Sequence, residues 1–350
     1  MTANAGDPIE TVAIARGRYR AELLTLGAAL RVLEVPDRDG NAANVVLGFA
    51  DIEEYRGHPR FYGAVAGRYA NRIGGARFTL DGTEHRVAAN DGANSLHSGP
   101  FGFDQQIWKV IARTPDSVTF RHVSPAGHNG FPGTLAAEAR YTMEEDGLAV
   151  ALTATTDAPT VVNLTHHAYF NLAGEASGAT ILDHLLRISS SRTTPVGAGL
   201  IPTGAFAEVT GTPFDFRVPR RVGERIDAED AQLKLGHGYD HNFVIDGAPR
   251  CVATLFDPDS GRVLDLHSGE PGLQLYSGNH LAGGAPGTGG AVYVARQGLC
   301  LEPQKFPDSP NRPEFPSARL DPGDIYRHDI AFRFRTAESV EQAFGQVADR

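Results

Sequence analysis

No stretch constrains this chain more than Asn163-Leu164-Thr165-His166-His167-Ala168-Tyr169-Phe170-Asn171-Leu172. Successive side chains of a strand point to opposite faces, so the segment reads with a period of two. Asn163, Thr165, His167, Tyr169 and Asn171 then share one face, and all can hydrogen-bond. Leu164, His166, Ala168, Phe170 and Leu172 share the other, apolar except for one histidine. The apolar face requires a core. The polar face is richer in donors and acceptors than a solvated strand needs. It fits a strand looking into a polar cleft with His167 at its centre, or an exposed strand with a structural histidine.

The rest of the chain agrees with a β protein. There are 40 Gly and 22 Pro, and short apolar runs lie between turn signals, which favours β over helical architecture. All-β folds often exceed the usual domain size, so residues 1–350 read as one domain with a loose tail at 1–10. Strands are expected on both sides of Gly27, at Asn44–Phe49, Val118–His122, Leu135–Met143 and Leu148–Thr156. Phe78–Leu80, Asp81-Gly82 and Thr83–Val87 form a hairpin signal, because an Asp-Gly turn tolerates positive φ. Tyr239–Ile245 alternates, with Asp240, Asn242 and Val244 on one face, and Leu273–Tyr276 is a short strand. Val292–Glu302 reads as one buried strand, and Arg220–Leu235 is the one segment with a helical pattern. Residues 88–107 form a long polar loop holding His97, and long loops often carry function.

The formal charge is −10 with a pI near 5.7. Without a basic cluster, nucleic acid and anionic membranes are poor partners. Cys251 and Cys300 give no disulfide framework, which points to a reducing compartment. The first ten residues lack the features of a signal peptide, and no apolar run reaches membrane-span length. A soluble cytoplasmic protein, monomer or homodimer, is the expectation.

Several residues could do chemistry. Glu302 ends the apolar run Gly298-Leu299-Cys300-Leu301, and Pro303 removes the next backbone donor. Burial without a cation would raise its pKa towards a general base's range; a strand-end salt bridge is the structural alternative. Arg68, Asn71 and Arg72 in GRYANRI, His97 in NSLHSG and Asp240 in GYDHN could grip a ligand or tie loops together. The 13 histidines show no convincing metal-ligand spacing, and GxSxG is absent.

Taken together, GRYANRI, NDGANSLHSG followed by FGFD, NLTHHAYFNL, GYDHNFVI and GLCLEPQKFPDSPNRPEFPS resemble the aldose 1-epimerases, or galactose mutarotases. PDRDG and VVLGF do so as well, and the match runs in order from about Tyr19 to Arg333. The resemblance implies a large antiparallel β-sandwich, the galactose mutarotase-like supersandwich, with few short helices and an open sugar cleft. It implies that His167 is the general acid and Glu302 the general base. It places Asn71, Arg72, His97, Asp240, Tyr169 and Gln274 at sugar-binding positions. His166 stands where Asn is usual, Ala168 where Ser is common, Ser98 where Gly is usual and Lys305 where His is common.

The implied reaction interconverts α and β anomers of a free aldohexose such as galactose or glucose. Glu302 takes the C1 hydroxyl proton, protonated His167 gives one to the ring oxygen, the C1–C2 bond turns, and closure reverses the roles. The sugar is the partner, and no metal, nucleotide or flavin is required. Alternatives remain. A sugar-phosphate 1-epimerase of the same fold could use Arg60, Arg68 and Lys305 for phosphate. A glycoside hydrolase would need paired carboxylates, for which Glu302 and Asp240 are the candidates. A non-catalytic sugar-binding module would have no need for both His167 and Glu302.

Overall fold

Leu135–Glu144 shows why this chain forms sheets. Leu135, Ala137, Ala139, Tyr141 and Met143 are buried, and the residues between them are partly or fully exposed. That strand lies inside a nine-stranded sheet in a computed structural model that describes residues 7–57, 60–247 and 251–345. The strand order is Lys109–Arg113, Ser117–Ser124, Leu135–Glu144, Gly147–Thr156, Tyr326–Thr336, Arg262–Ser268, Cys251–Phe256, Leu185–Ile188 and Arg220–Arg221. Every pairing in it is antiparallel. A six-stranded antiparallel sheet runs Tyr169–Phe170, Leu299–Gln304, Gly272–Tyr276, Asp240–Val244, Arg192–Thr193 and Ala207–Glu208. Thr11–Asn44 supplies a four-stranded sheet.

One apolar cluster joins the three. It takes Leu23 and Leu33 from the N-terminal sheet, Phe120, Tyr141, Leu152 and Phe332 from the nine-stranded sheet, and Phe170, Phe243, Leu273 and Leu301 from the six-stranded sheet. Each such side chain contributes about 1.5–3 kcal/mol by leaving water. The architecture is therefore the expected antiparallel β-sandwich, with two short α-helices among the described residues, Ala231–Gly236 and Val340–Phe344. The Asp81-Gly82 hairpin forms as expected, with φ of 50° and 76° at the turn.

Other expectations need correction. Residues 163–172 are not one strand: Thr165–His166 pairs with Val65–Ala66, and Tyr169–Phe170 pairs with Leu299–Cys300. The alternation still holds, because Leu164, Ala168, Phe170 and Leu172 enter the main core. His166 joins them, its ring centroid 5.7 Å from Tyr141 and 5.6 Å from Phe332. Both faces are covered, which rules out the exposed-strand alternative. Of the expected 292–302 strand only the part from Leu299 forms, and it runs on to Gln304, while Val292 and Val294 are exposed. Of 220–235, Arg220–Arg221 is a strand, Val222–Glu224 a single 3-10 turn, and only the part beginning at Ala231 is α-helical, capped by Asp230. Asn44 ends a short strand, and Val45–Phe49 continues as buried chain held by isolated bridges. Part of the tail at 1–10 lies outside the described residues; Ile9 is buried, and Glu10 bonds Thr25 through its amide and carbonyl.

Candidate active site

The six-stranded sheet sorts its side chains by register. Tyr169 stands opposite Cys300, Cys300 opposite Tyr276 and Tyr276 opposite Asp240. In the next row Glu302 faces Gln274, and Gln274 faces Asn242. Directly paired residues and residues two apart share a face. One face therefore gathers Tyr169, Cys300, Glu302, Gln274, Tyr276, Asp240 and Asn242. The other carries Phe170, Leu299, Leu301, Leu273, Leu275 and Phe243 into the main core.

His167 meets this polar face from the irregular 163–172 segment. Its Nε2 lies 3.8 Å from Oε2 of Glu302, with the side chains 5% and 3% exposed. Among the described residues, that Oε2 has no hydrogen-bond partner. Burial pushes the Glu302 carboxyl well above its usual range, the Asp240 charge adds to this, and Arg72 opposes it. Burial pushes His167 down to about 4, against the pull of its own backbone hydrogen bond and Asp240. A neighbouring carboxylate by itself favours the protonated histidine. Here desolvation is the larger cause for both groups, because it penalises each charge. Both shifts disfavour the charged form of their group, Glu302 upward and His167 downward.

Across from them, Asn71 and His97 clasp each other. The Asn71 amide donates to His97 Nδ1 at 3.1 Å, and the His97 amide donates to the Asn71 carbonyl at 3.0 Å. Asn71, His97 and Ser98 all have positive φ, at 62°, 49° and 72°, strain of a kind that clusters at functional sites. Because Nδ1 accepts, neutral His97 carries its proton on Nε2 and offers a donor to the pocket. Arg72 is fixed by Asp91, Nε to Oδ2 at 2.8 Å, and its Nη1 lies 3.6 Å from Oδ2 of Asp240. Gln274 donates to Oδ1 of Asp240 at 2.6 Å. Tyr169 has its ring 5.0 Å from that of His167. The eight residues that the resemblance assigned to acid, base and sugar-binding positions thus meet in one place.

His97, His167 and Glu302 each place a potential metal-ligand atom within 4.8 Å of the others. Sequence spacing could not show this cluster, since its members are far apart in the chain. The protonated Nε2 of His97 turns it into a hydrogen-bond donor, which leaves two ligands, fewer than a protein metal site normally uses.

Three residues of the pocket escaped sequence reasoning. Asp91 sits in NDGANS without a distinguishing pattern. Phe61, half-buried, lies over both histidines, 4.5 Å from the His97 ring and 5.6 Å from that of His167. Cys300 places its sulfur 3.5 Å from Nδ1 of His167. The proposed phosphate residues are committed elsewhere. Arg68 is buried and donates to the carbonyls of Pro132, Gly133 and Ser124. Lys305 pairs with Glu270 at 2.9 Å, and Arg60 binds the carbonyls of Ala282 and Gly283. Ser98, where Gly is usual, accepts the Tyr69 amide at 2.7 Å. A separate groove of about 660 Å³ on the nine-stranded sheet, bordered by Val150, Ile245, Pro271 and Ile330, shares no residue with this site.

The aldose 1-epimerase family model matches residues 10–333. This chain belongs to the aldose 1-epimerase family. It is 41% identical to the galactose mutarotase of Bos taurus over 333 residues, 94% of this chain and 95% of that one. Identity to the aldose 1-epimerase of Escherichia coli K12 is 38% over 318 residues, 89% of this chain and 91% of that one. The crystal structure of an aldose epimerase homologue from C. elegans superposes with a TM-score of 0.87 at 32% identity, covering 94% of this chain and 100% of that one. Among the described residues no helix is long and apolar enough to cross a membrane.

Proposed function

We propose that this protein is an isomerase that interconverts the α and β anomers of free aldohexoses, galactose or glucose, by ring opening. The observation that carries the reading is the buried acid–base pair, His167 Nε2 and Glu302 Oε2 at 3.8 Å. The hydroxyl and ring oxygens that exchange protons are both bonded to C1, so the acid and the base must converge on one small region. The pair shares a single proton. A sugar entering the pocket brings hydroxyls that solvate charge, and the proton can then move from Glu302 to His167. Glu302 takes the C1 hydroxyl proton while His167 protonates the ring oxygen, and ring closure reverses both transfers. Each positioned transfer is worth ~10²–10⁴ in rate. His97 Nε2–H and Arg72 orient the sugar oxygens and stabilise charge on them. Asp240, Gln274, Asn71 and Tyr169 complete the hydroxyl contacts.

The relatives named galactose mutarotase and aldose 1-epimerase support this reading. The sugar-phosphate alternative loses its support, because Arg68, Lys305 and Arg60 are already paired. The same reading treats residues 1–350 as one catalytic unit, cytoplasmic, and a monomer or homodimer. Polarimetry of freshly dissolved α-galactose, α-glucose and other aldoses tests the activity. Acceleration by purified protein is the expected result, and no acceleration with any aldose would refute it.

A further inference from the structure

We propose that Cys300 is a positioning residue for His167: its sulfur takes the Nδ1–H, so that Nε2, the nitrogen facing Glu302, is the one that exchanges the proton. This rests on the reading of His167 as the acid. Sγ and Nδ1 are 3.5 Å apart, and Cys300 is fully buried. Tyr169 stands directly opposite Cys300 in the sheet register. Cys300 and Glu302 are two apart on one strand and share a face, so one strand addresses both ends of the imidazole: carboxylate at Nε2, sulfur at Nδ1.

The choice of sulfur has a chemical consequence. A carboxylate at Nδ1 would grip that proton and stabilise the imidazolium far more than the residue's own backbone carbonyl does; a charge-assisted bond of this kind is among the stronger ones. A thiol is a weak acceptor. It fixes which nitrogen keeps its hydrogen without holding the ring in its charged form, which leaves His167 a stronger acid towards a ring oxygen of low basicity. Burial first, and then the neighbouring carboxyls of Glu302 and Asp240, push the Cys300 thiol well above its usual range, which keeps it a neutral thiol. The other groups around the imidazole are His97 and Phe61 at the pocket side, Tyr169 beside it, Asp240 across the sheet, His166 behind and the backbone carbonyl of His167. Among these side chains, Cys300 is the one placed on Nδ1.

The test compares Cys300→Ala with Cys300→Ser. The alanine variant should lose roughly tenfold in kcat with little change in KM, the rate equivalent of one modest hydrogen bond to a charged group. The serine variant should recover most of that kcat. Its hydroxyl accepts more strongly, so both limbs of the pH–rate profile should move to higher pH. Unchanged kcat and limbs in the alanine variant would overturn the proposal. So would equal losses in both variants with unmoved limbs, the signature of packing alone. Nitrogen-15 NMR of His167 in the ligand-free protein is independent of activity: the neutral ring should carry its proton on Nδ1. The opposite tautomer would overturn the assignment even in an active enzyme. If the wild type were inactive on every aldose, the NMR result would still decide the Cys300 contact.

Discussion

Oε2 of Glu302 faces Nε2 of His167 across 3.8 Å, and neither side chain is more than 5% exposed. Two titratable groups this close and this dry behave as one unit with macroscopic pKa values. In the proposed mechanism the active form holds one proton. Adding a second means charging His167, which burial resists down to about 4. Removing the last means ionising Glu302, which burial resists well above the usual carboxylate range. The pH profile of kcat/KM, which reports the free enzyme, should be a bell. Its acidic limb should lie near about 4 and its basic limb well above the usual carboxylate range. Initial-rate polarimetry across pH checks this. An acidic limb at the ordinary histidine value would contradict it.

Replacing either partner tests the division of labour. Glu302→Gln keeps the shape and removes the base, so kcat should fall by at least ~10² with a smaller change in KM. His167→Asn should lose a similar factor. The double variant should lose less than the product, since neither transfer is useful alone. A folded Glu302→Gln enzyme with near-normal kcat would move the base to Asp240 or His97.

Asp240 holds Gln274 at 2.6 Å and lies 3.6 Å from Arg72, so it shapes the binding side of the pocket. Asp240→Asn should raise KM more than it lowers kcat. The same change removes a negative charge that raises Glu302, so the basic limb should move to lower pH. A kcat loss as large as that of Glu302→Gln, with KM unchanged, would make Asp240 a reacting group.

Excess chelator should leave activity unchanged. The reason is the clasp between Asn71 and His97, which commits His97 Nδ1 to the Asn71 amide and makes Nε2 a donor. Activity lost to a chelator and restored by one divalent ion would show that His97, His167 and Glu302 act as ligands after all.

Acid should weaken the fold. Burial holds His122, His184 and His241 near about 4 and His166 near about 3, against ~6.5 in an unfolded chain. Between those values the unfolded chain binds protons that the folded chain refuses, so stability is full above the unfolded pKa and falls as pH drops. Urea melts from pH 7 down to pH 4.5 should show a declining midpoint. His166→Asn, which cannot titrate, should reduce the decline; an unaltered slope would mean that His166 is already protonated in the fold.

The β architecture was legible because its signals are local. Asp81-Gly82 sets its own turn, and the alternation from Leu135 to Met143 marks its own buried face. Glu302 and His167 were legible from buried patterning and from family resemblance. Charge states were not, since desolvation depends on what the whole fold stacks around a group. Arg68 looked like a ligand contact and proved to be a tie between carbonyls, because a glycine-flanked arginine reads alike in both roles. Val292 and Val294 looked like core and are exposed; short apolar runs do not declare their own ends.

The split register of the six-stranded sheet means that this enzyme's chemistry and its stability are encoded on interleaved positions of the same few strands. From Leu299 to Glu302 every second residue belongs to the hydrophobic interior, and the ones between face the candidate site. Directed evolution could therefore diversify Tyr169, Asn242 and Tyr276 to retune sugar choice and leave Leu273, Leu275 and Leu301 untouched as a fixed chassis. Shifting any one of these strands by a single residue would exchange the two sets and abolish both at once.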